Sequence, residues 1–271
     1  MKNPLVSVVM PVYNSEKYLR ETIESVLGQD FPDFEFVIVE DCPTDGSPAI
    51  IGEYAKKDRR IVRVRNRKNL GISESRNRGI GAARGKYIMN MDHDDISMPG
   101  RMRMQAEYLK RHPGVGIVGS GVIAIDGGGK TIGRRELPET DAEIRKALPL
   151  YAPFSHPSTM VRASAYATTG GYDREFEPAD DYELYFRIGR KFKFANIGKP
   201  LLKHRLHEGA TTVKKIRKMI FKTLDVKRKW VKEYGGVNAG VAFAALKQTA
   251  PAILPLFITG KLLKAYYRLP P

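Results

Sequence analysis

Three carboxylates end an apolar run in the segment IMNMDHDD (88–95): Asp92, Asp94 and Asp95. An apolar strand that opens into clustered acids places hard oxygen ligands at a sheet edge, where they suit Mg²⁺ or Mn²⁺ bound to phosphate. The alternative is a helix N-terminus, because Asp is favourable there and Pro99 can open the helix that follows. Capping needs one carboxylate, and three close together repel one another unless a cation is bound. The segment therefore favours a divalent-cation site and leaves capping open.

The elements that must position these acids alternate between strands and helices. We predict strands at 5–12, 34–40, 61–65 and 86–91, and helices at 16–27, 47–58, 71–83 and 99–111. This alternation predicts an α/β fold with a mostly parallel central sheet and helices on both faces. Such sheets bind ligands beyond the C-terminal ends of their strands. Tyr13, Asp41 and Asp92 all lie at those ends.

The second half has a less regular pattern. We predict short strands around 115–125, a turn at 127–129, a helix at 142–148, a strand at 156–161, a helix at 179–190, and strands at 192–198 and 201–207. The predicted domains are a main domain at 1–212 and a helical basic and apolar extension at 213–271.

Composition narrows the class of protein. A chain of 271 residues can bury a full core, and its single cysteine, Cys42, excludes an intramolecular disulfide and any cysteine-based zinc site. The first residues lack an uncharged apolar run followed by a small-residue cleavage site. We therefore expect a cytoplasmic location.

Basic charge is concentrated near the C-terminus. Segment 213–271 holds thirteen Lys and Arg residues against two acids, a net charge of +11 out of +16 for the chain. The stretch 214–232 also carries apolar residues at three- and four-residue spacing, which is typical of an interfacial helix on anionic lipid. A helix packed on the domain with a solvated basic face is an equal alternative.

The apolar stretch 237–263 follows this basic stretch. Lys247, Gln248, Pro251, Pro255 and Lys261 interrupt it, so a membrane-spanning helix is not expected. A shallow contact with the inner face of the cell membrane is the alternative. We therefore predict peripheral attachment there.

An ordered series of motifs resembles one known family. The motifs are VSVVMPVYNSEKYLRETIESVLGQ (6–29), VEDCPTDGS (39–47), NLGISESRNRGI (69–80), MDHDD (91–95), HPSTMV (156–161), GGYD (170–173), ADDYELYFRI (179–188) and HRLH (204–207). Together they resemble the family 2 inverting glycosyltransferases, whose nucleotide-binding fold is called GT-A. The resemblance covers residues 6–207 and implies that fold here. It also implies that 1–212 is the catalytic domain, with 1–98 as the nucleotide-sugar donor half and 99–212 as the acceptor half.

The resemblance implies a site for a nucleotide-diphosphate sugar. Pro11 and Tyr13 would border the nucleotide base, Asp41 would bond its edge, and Arg76 would lie near the base or the phosphates. By itself Arg76 could belong to a solvated basic helix face that includes Arg78. One departure from the family is EDCPTDGS (40–47) in place of DDGSTDGS: Cys42 and Pro43 replace Gly and Ser, and Pro43 removes an N–H from the loop.

The resemblance also implies a metal site. Asp92 and Asp94 match the family's DXD acids, with Asp94 ligating Mg²⁺ or Mn²⁺ directly and Asp92 facing the ribose and metal-bound water. Asp95 would support the loop. His207 could close over the metal or the diphosphate, with His204 as a weaker candidate, although a histidine at a strand end is more often structural.

A base on the acceptor side is the remaining part of an inverting transfer, because the attacking hydroxyl loses its proton. The family's acidic pair maps to Asp180 and Asp181. From the residues alone, capping of the following helix would be favoured. The resemblance reverses that preference and assigns Asp181 as the base, with Asp180 as the alternative. His156 is expected near the acceptor pocket.

The implied activity is metal-dependent transfer of a sugar from a nucleotide-diphosphate sugar, with UDP-sugar favoured, to a glycan or lipid-linked acceptor in cell-surface polysaccharide synthesis. A non-catalytic membrane scaffold with the same fold stays an alternative. A basic nucleic-acid-binding protein is disfavoured, because the charge lies in a tail with long apolar runs and no nucleic-acid-binding signature appears. A dehydrogenase and a nucleotidyltransferase are disfavoured because the first turn, PVYNSE (11–16), has no glycine-rich phosphate loop.

Overall fold

The computed structural model describes residues 3–207, 209, 215–230 and 233. The strands are β1 (Val6–Val12), β2 (Phe34–Glu40), β3 (Ile61–Arg65), β4 (Tyr87–Asn90), β5 (Ile96–Ser97), β6 (Val115–Asp126), β7 (Thr131–Arg135), β8 (Met160–Arg162) and β9 (Lys193–Leu206). The helices are α1 (Glu16–Leu27), α2 (Ser47–Lys57), α3 (Ile72–Ala82), α4 (Arg101–Arg111), α5 (Asp141–Ala147), α6 (Ala163–Thr169), α7 (Asp180–Gly189) and α8 (Ile216–Trp230). Two 3₁₀ helices span His156–Ser158 and Arg174–Phe176.

One sheet runs through the described part of the chain in the order β3-β2-β1-β4-β8-β6-β9-β5, with β7 paired to β6. The first four strands are parallel, β8 is antiparallel to both of its neighbours, and β6 and β9 form a long parallel pair. The parallel pairings join more residues than the antiparallel ones. This confirms the predicted fold class, and the C-terminal ends of β1, β2 and β4 meet at one edge.

The central strands are apolar on both faces because helices cover both faces. On one face, Val8 and Met10 belong to a core shared with α1, α2 and α4. On the other, Val9 and Val37 belong to a core shared with α7 and α8. The residues of β1 form an almost uninterrupted apolar run in the sequence because both faces of this strand are buried.

Several elements differ from the sequence predictions, and β5, β7 and α6 were not predicted. The run around 115–125 is one strand, β6, and the two strands predicted after residue 191 form the single strand β9. The HPSTMV segment begins as a 3₁₀ helix, and only Met160–Arg162 is a strand. Helix α4 begins at Arg101 because Gly100 has a left-handed backbone with φ of 77°. The long pairing between β6 and β9 keeps each of them a single strand, although glycines lie within both.

Helix α8 packs on the rest of the described chain through the buried side chains Ile220, Val226 and Trp230. The indole Nε1 of Trp230 donates to Glu183 of α7 at 3.2 Å. The prediction for 237–263 lies outside the described residues. Among the residues that the structure does describe, none forms a helix long and apolar enough to cross a membrane.

Candidate active site

The acidic loop after β4 is fixed by its third carboxylate. Asp95 is fully buried and accepts a hydrogen bond from the backbone N–H of Arg205 at 2.8 Å. Its other oxygen lies 3.2 Å from Nδ1 of His204. The hydroxyl of Thr22 in α1 donates to the carbonyl of Asp95. Asp95 and His204 therefore hold the loop to β9, in line with the supporting role expected of Asp95.

Asp94 and His207 meet at the open side of this loop. The Nε2 atom of His207 lies 2.8 Å from Oδ2 of Asp94. Burial works against ionisation of Asp94, but neighbouring His93 and the hydrogen bond with His207 lower its pKa to about 2. The ring of Tyr18 packs against His207 with centroids 4.9 Å apart. The structure thus presents an ionised carboxylate and an oriented imidazole side by side.

This pair fits a divalent cation that also binds a substrate diphosphate. Within the described residues there is no group of three or more His, Cys, Asp or Glu side chains that could hold a metal ion. Mg²⁺ commonly uses only one or two protein carboxylates, and water and substrate phosphate oxygens complete its shell. Asp94 and His207 are therefore sufficient protein ligands for a metal ion that binds together with a diphosphate substrate.

Arg76 joins the acids of the two halves. Its Nη2 atom lies 3.2 Å from Oδ1 of Asp92, and its Nη1 atom lies 3.6 Å from Oδ2 of Asp180. The guanidinium carbon also sits 5.3 Å from the ring centroid of Tyr172. Arg76 is buried, so the solvated-face alternative is wrong for it, whereas Arg78 on the same helix is exposed. Burial disfavours its charge, but Asp92 and Asp180 overcome this and raise the pKa of Arg76.

Asp180 and Asp181 start α7 in different environments. Asp180 is buried, and its Oδ2 accepts a hydrogen bond from the Ser73 hydroxyl at 2.9 Å. Asp181 is partly exposed, and its carboxylate accepts from the backbone N–H of Tyr182 at 2.7 Å. Burial and the adjacent Asp180 raise the pKa of Asp181 to about 7, against the opposing charge of Arg76. Asp181 is therefore suited to accept a proton near neutral pH.

Asp41, at the end of β2, anchors the loop before α3. It is buried and accepts hydrogen bonds from the Asn66 side chain at 2.7 Å and from the backbone N–H groups of Leu70 and Gly71 at 2.8 and 3.0 Å. Gly71 has a φ of 89°, a conformation that favours glycine. Asp41 thus shapes the edge of the predicted base pocket.

The β1–α1 and β2–α2 loops are joined to each other at this edge. Asn14 accepts a hydrogen bond from the backbone N–H of Thr44 at 2.8 Å, and Asp45 accepts from that of Glu16 at 2.9 Å. Cys42, where the family has glycine, has a φ of 57°. Pro11 is buried in β1, and Tyr13 is 46% exposed. An exposed aromatic ring beside a rigid double loop can stack on a planar base.

His156 lies in a buried polar network beneath Arg76. Its Nε2 atom lies 2.7 Å from the Tyr172 hydroxyl, which lies 2.9 Å from that of Tyr166. Burial and the charge of Arg76 hold the pKa of His156 well below its usual value. We therefore assign His156 to the support of Tyr172.

The structure adds three residues that the sequence did not indicate. Ser73 contacts Asp180, Asn66 contacts Asp41, and Oε2 of Glu177 lies 3.1 Å from the Ser73 hydroxyl. Ser73 could have been suspected from its place in the first turn of a helix that follows a strand. Glu177 and Asn66 have no such signal, because only tertiary packing brings them to the edge of the sheet.

Solved structures share this fold. A crystal structure of S. aureus TarS 1-349 in complex with UDP superposes with a TM-score of 0.66 at 21% identity, over 95% of this chain and 78% of that one. The mannosyltransferase PcManGT from Pyrobaculum calidifontis, in complex with GDP-Man and Mn²⁺, gives a TM-score of 0.64 at 15% identity, over 98% of this chain and 86% of that one. The fold is therefore that of the GT-A glycosyltransferases.

Sequence relatives define the family. The profile of glycosyl transferase family 2 matches residues 7–170. An uncharacterized glycosyltransferase of Methanocaldococcus jannaschii is 37% identical over 236 residues, which is 85% of this chain and 81% of the relative. The O-antigen biosynthesis glycosyltransferase WbnJ of Escherichia coli is 28% identical, over 76% of this chain and 82% of WbnJ. The chain belongs to glycosyl transferase family 2 and is related to enzymes of cell-surface polysaccharide biosynthesis.

Proposed function

We propose that this chain is an inverting, metal-dependent hexosyltransferase that moves a sugar from a UDP-sugar to a hydroxyl of a glycan or lipid-linked acceptor. One observation carries the proposal. Arg76 contacts both Asp92, from the donor half, and Asp180, from the acidic pair of the acceptor half. The two sets of acids therefore face a common site.

The donor occupies the edge formed by β1, β2 and β4 in this proposal. Tyr13 and Pro11 border the base, Asp41 holds the pocket and bonds the base edge, and Asp92 faces the ribose. UDP is favoured by the fold shared with TarS, which was crystallised with UDP. GDP is the nearest competitor, because PcManGT was crystallised with GDP-Man.

Asp94 and His207 would hold Mg²⁺ or Mn²⁺ together with the donor diphosphate, and Asp92 would bond metal-bound water. A cation at this position supplies charge neutralisation for the departing diphosphate. Arg76, fixed between Asp92 and Asp180, keeps a buried positive charge beside the same group. The pair Asp94 and His207, the carboxylate of Asp92 and the guanidinium of Arg76 would thus all act on the leaving group.

The transfer is a single displacement. The oxygen of the acceptor hydroxyl forms a bond to the anomeric carbon while the bond to the diphosphate breaks, and the bonding electrons leave with the nucleoside diphosphate. Asp181 accepts the hydroxyl proton, and Asp180, held by Ser73 and Arg76, orients the start of α7. Attack opposite the leaving group inverts the anomeric configuration.

We place the enzyme at the inner face of the cell membrane, with 1–212 as the catalytic domain and 213–271 as the basic region that contacts lipid. The support is a face of α8 on which Phe221 is 59% exposed beside basic side chains. A basic surface with an exposed aromatic anchor is typical of peripheral attachment to anionic lipid.

The test is the heat of binding of UDP, GDP, dTDP, CDP and ADP to the full chain, each with Mn²⁺ and with EDTA. We expect UDP to bind tightly only with Mn²⁺, and Asp94→Asn to weaken this binding at least tenfold, in line with the loss of a direct metal ligand. The matched control is Asp33→Asn, an exposed acid directly before β2, at the opposite end of the strands from the site. Binding of no nucleotide by a folded chain would favour a scaffold or a nucleic-acid-binding protein.

A further inference from the structure

A basic pocket lies beside the acidic pair and is not used by the proposed transfer. It has a volume of about 260 Å³ and is lined by the loop 69–71, by Arg174 and Glu177, and by Lys215 and Lys218 at the start of α8. The loop belongs to the donor half, and the charged side chains come from the acceptor half and the C-terminal region. The pocket therefore exists only where all three parts meet.

The charges of this pocket favour an anion. Lys215 pairs with Glu177 at 3.4 Å, which neutralises the one acid in the wall. Arg174 and Lys218 are exposed, and within the described residues neither forms an ion pair. A guanidinium and an ammonium group that converge on one cavity are suited to a phosphate or carboxylate.

The pocket is joined to the proposed base through two short contacts. Oε2 of Glu177 lies 3.1 Å from the Ser73 hydroxyl, and the same hydroxyl lies 2.9 Å from Oδ2 of Asp180. Asp181 is the next residue. A group bound in the pocket would therefore belong to a molecule that also reaches the base.

The donor diphosphate is assigned elsewhere. Asp94 and His207 would hold it, together with the metal ion, in the proposed mechanism. None of the side chains assigned to the donor lines the pocket. The pocket wall is joined to the acidic pair instead, because the Ser73 hydroxyl contacts both Glu177 and Asp180. We therefore assign its anion to the acceptor.

We propose that the pocket formed by loop 69–71, Arg174, Lys215 and Lys218 binds a phosphate or carboxylate group of the acceptor, so that the enzyme selects anionic acceptors. This proposal rests on the proposed function. The anion would belong to the same acceptor molecule as the attacking hydroxyl, because Ser73 joins the pocket wall to Asp180, the neighbour of Asp181.

The experiment compares three soluble acceptor probes: hexyl glucoside, hexyl glucuronide and hexyl glucoside 6-phosphate. Binding to the full chain is measured calorimetrically with UDP and Mn²⁺ present. We expect at least one anionic probe to bind about tenfold more tightly than the neutral one, as for one charge-assisted interaction. In the double variant Arg174→Gln/Lys218→Gln this preference should fall to within about twofold.

Two controls separate the outcomes. Arg228→Gln removes a charge from α8 outside the pocket and should keep the preference. Binding of UDP with Mn²⁺ should be unchanged in all variants, and its absence in the wild type would refute the proposed function instead. The pocket proposal is overturned if the three probes bind equally, if the anionic probes show no binding at millimolar concentration, or if the double variant keeps the preference.

An anionic lipid headgroup is the other molecule that would supply a phosphate or carboxylate group to this pocket. Binding of the double variant to anionic vesicles is therefore measured beside the probes. Loss of vesicle binding without any preference among the probes would assign the pocket to the membrane and would overturn its role in acceptor selection.

Discussion

At the scale of single residues, the site depends on two adjacent carboxyls that differ in their surroundings. Asp180 is 1% exposed, with the Ser73 hydroxyl and Arg76 against one oxygen. Asp181 is partly exposed, and its carboxylate accepts a hydrogen bond from the backbone N–H of Tyr182. Burial raises the pKa of both carboxyls, and that of Asp181 to about 7. The carboxyl held by Ser73 and Arg76 is suited to positioning, and the partly exposed one is suited to proton transfer. We therefore assign different roles to the two residues.

The first prediction concerns Asp181→Asn. We expect kcat for sugar transfer to fall by about 10²–10⁴-fold, because a general base contributes that much, while binding of UDP with Mn²⁺ is retained. Turnover is measured by release of UDP in the presence of acceptor, and binding by calorimetry. Asp180→Asn is the comparison, and it should weaken nucleotide binding as well, because Arg76 loses a partner. Normal turnover by Asp181→Asn would move the base to another residue.

The second prediction is the pH dependence of kcat/KM. Asp181 must be ionised to accept a proton, and its pKa is raised to about 7. The rate should therefore be highest above pH 7 and should fall about tenfold per pH unit below it. The residual activity of Asp181→Asn should lack this acid limb. An unchanged limb in that variant would assign the titration to another group.

At the scale of elements, α3 decides how the two halves of the site meet, because it carries both Ser73 and Arg76. It packs closely on the sheet at Gly79, where a Cβ atom would overlap Cγ1 of Val9 and lie 3.0 Å from Cγ2 of Val39. Both valines are buried. The helix can therefore approach the strands closely only because residue 79 has no side chain.

The third prediction follows from this contact. Gly79→Ala should lower the free energy of unfolding by about 1–3 kcal/mol, because overpacking of the core outweighs the gain in helix propensity. Gly81→Ala in the same helix is the matched control, since a Cβ there meets nothing within 4 Å. It should leave stability unchanged or raise it by up to about 1 kcal/mol. Urea denaturation of both variants tests the difference, and equal stabilities would contradict the packing argument.

At the scale of the whole molecule, the positive charge is concentrated near the C-terminus, and α8 carries part of it. The helix buries Trp230 against α7 and places Arg228 and Phe221 on its exposed side. The two alternatives for the basic stretch are therefore compatible in the described part of the chain. One face packs on the domain, and the opposite face is available to a membrane.

The fourth prediction concerns this face. Phe221→Ala/Arg228→Gln should weaken binding to vesicles containing anionic lipid by about tenfold, since one basic side chain near the surface contributes about 1 kcal/mol and the aromatic ring adds apolar contact. Sedimentation with vesicles measures it. The control is Lys56→Gln/Arg59→Gln, which removes two exposed charges, one at the end of α2 and one before β3, and it should bind vesicles as the wild type does. Equal binding by the first variant and the wild type would exclude α8 as the lipid contact.

The sequence by itself determined the fold class and the family. The alternation of apolar strands and amphipathic helices was enough for the parallel half of the sheet, because each such element is specified by its own residues. The same is true of the acids at the ends of such elements: Asp92, Asp94, Asp95, Asp180 and Asp181. The second half was predicted less well, since β6 and β9 are held as single strands by their pairing with each other.

Only the tertiary structure decided how these residues meet. The contacts of Arg76 with Asp92 and Asp180, of Asp94 with His207, and of Ser73 with Glu177 join residues from 16 to 113 positions apart. No local sequence pattern specifies contacts between residues so far apart in the chain, because these contacts depend on strand order and on the close approach of α3 to the sheet. The raised pKa of Asp181 has the same origin, since it results from burial and from neighbours that the fold supplies.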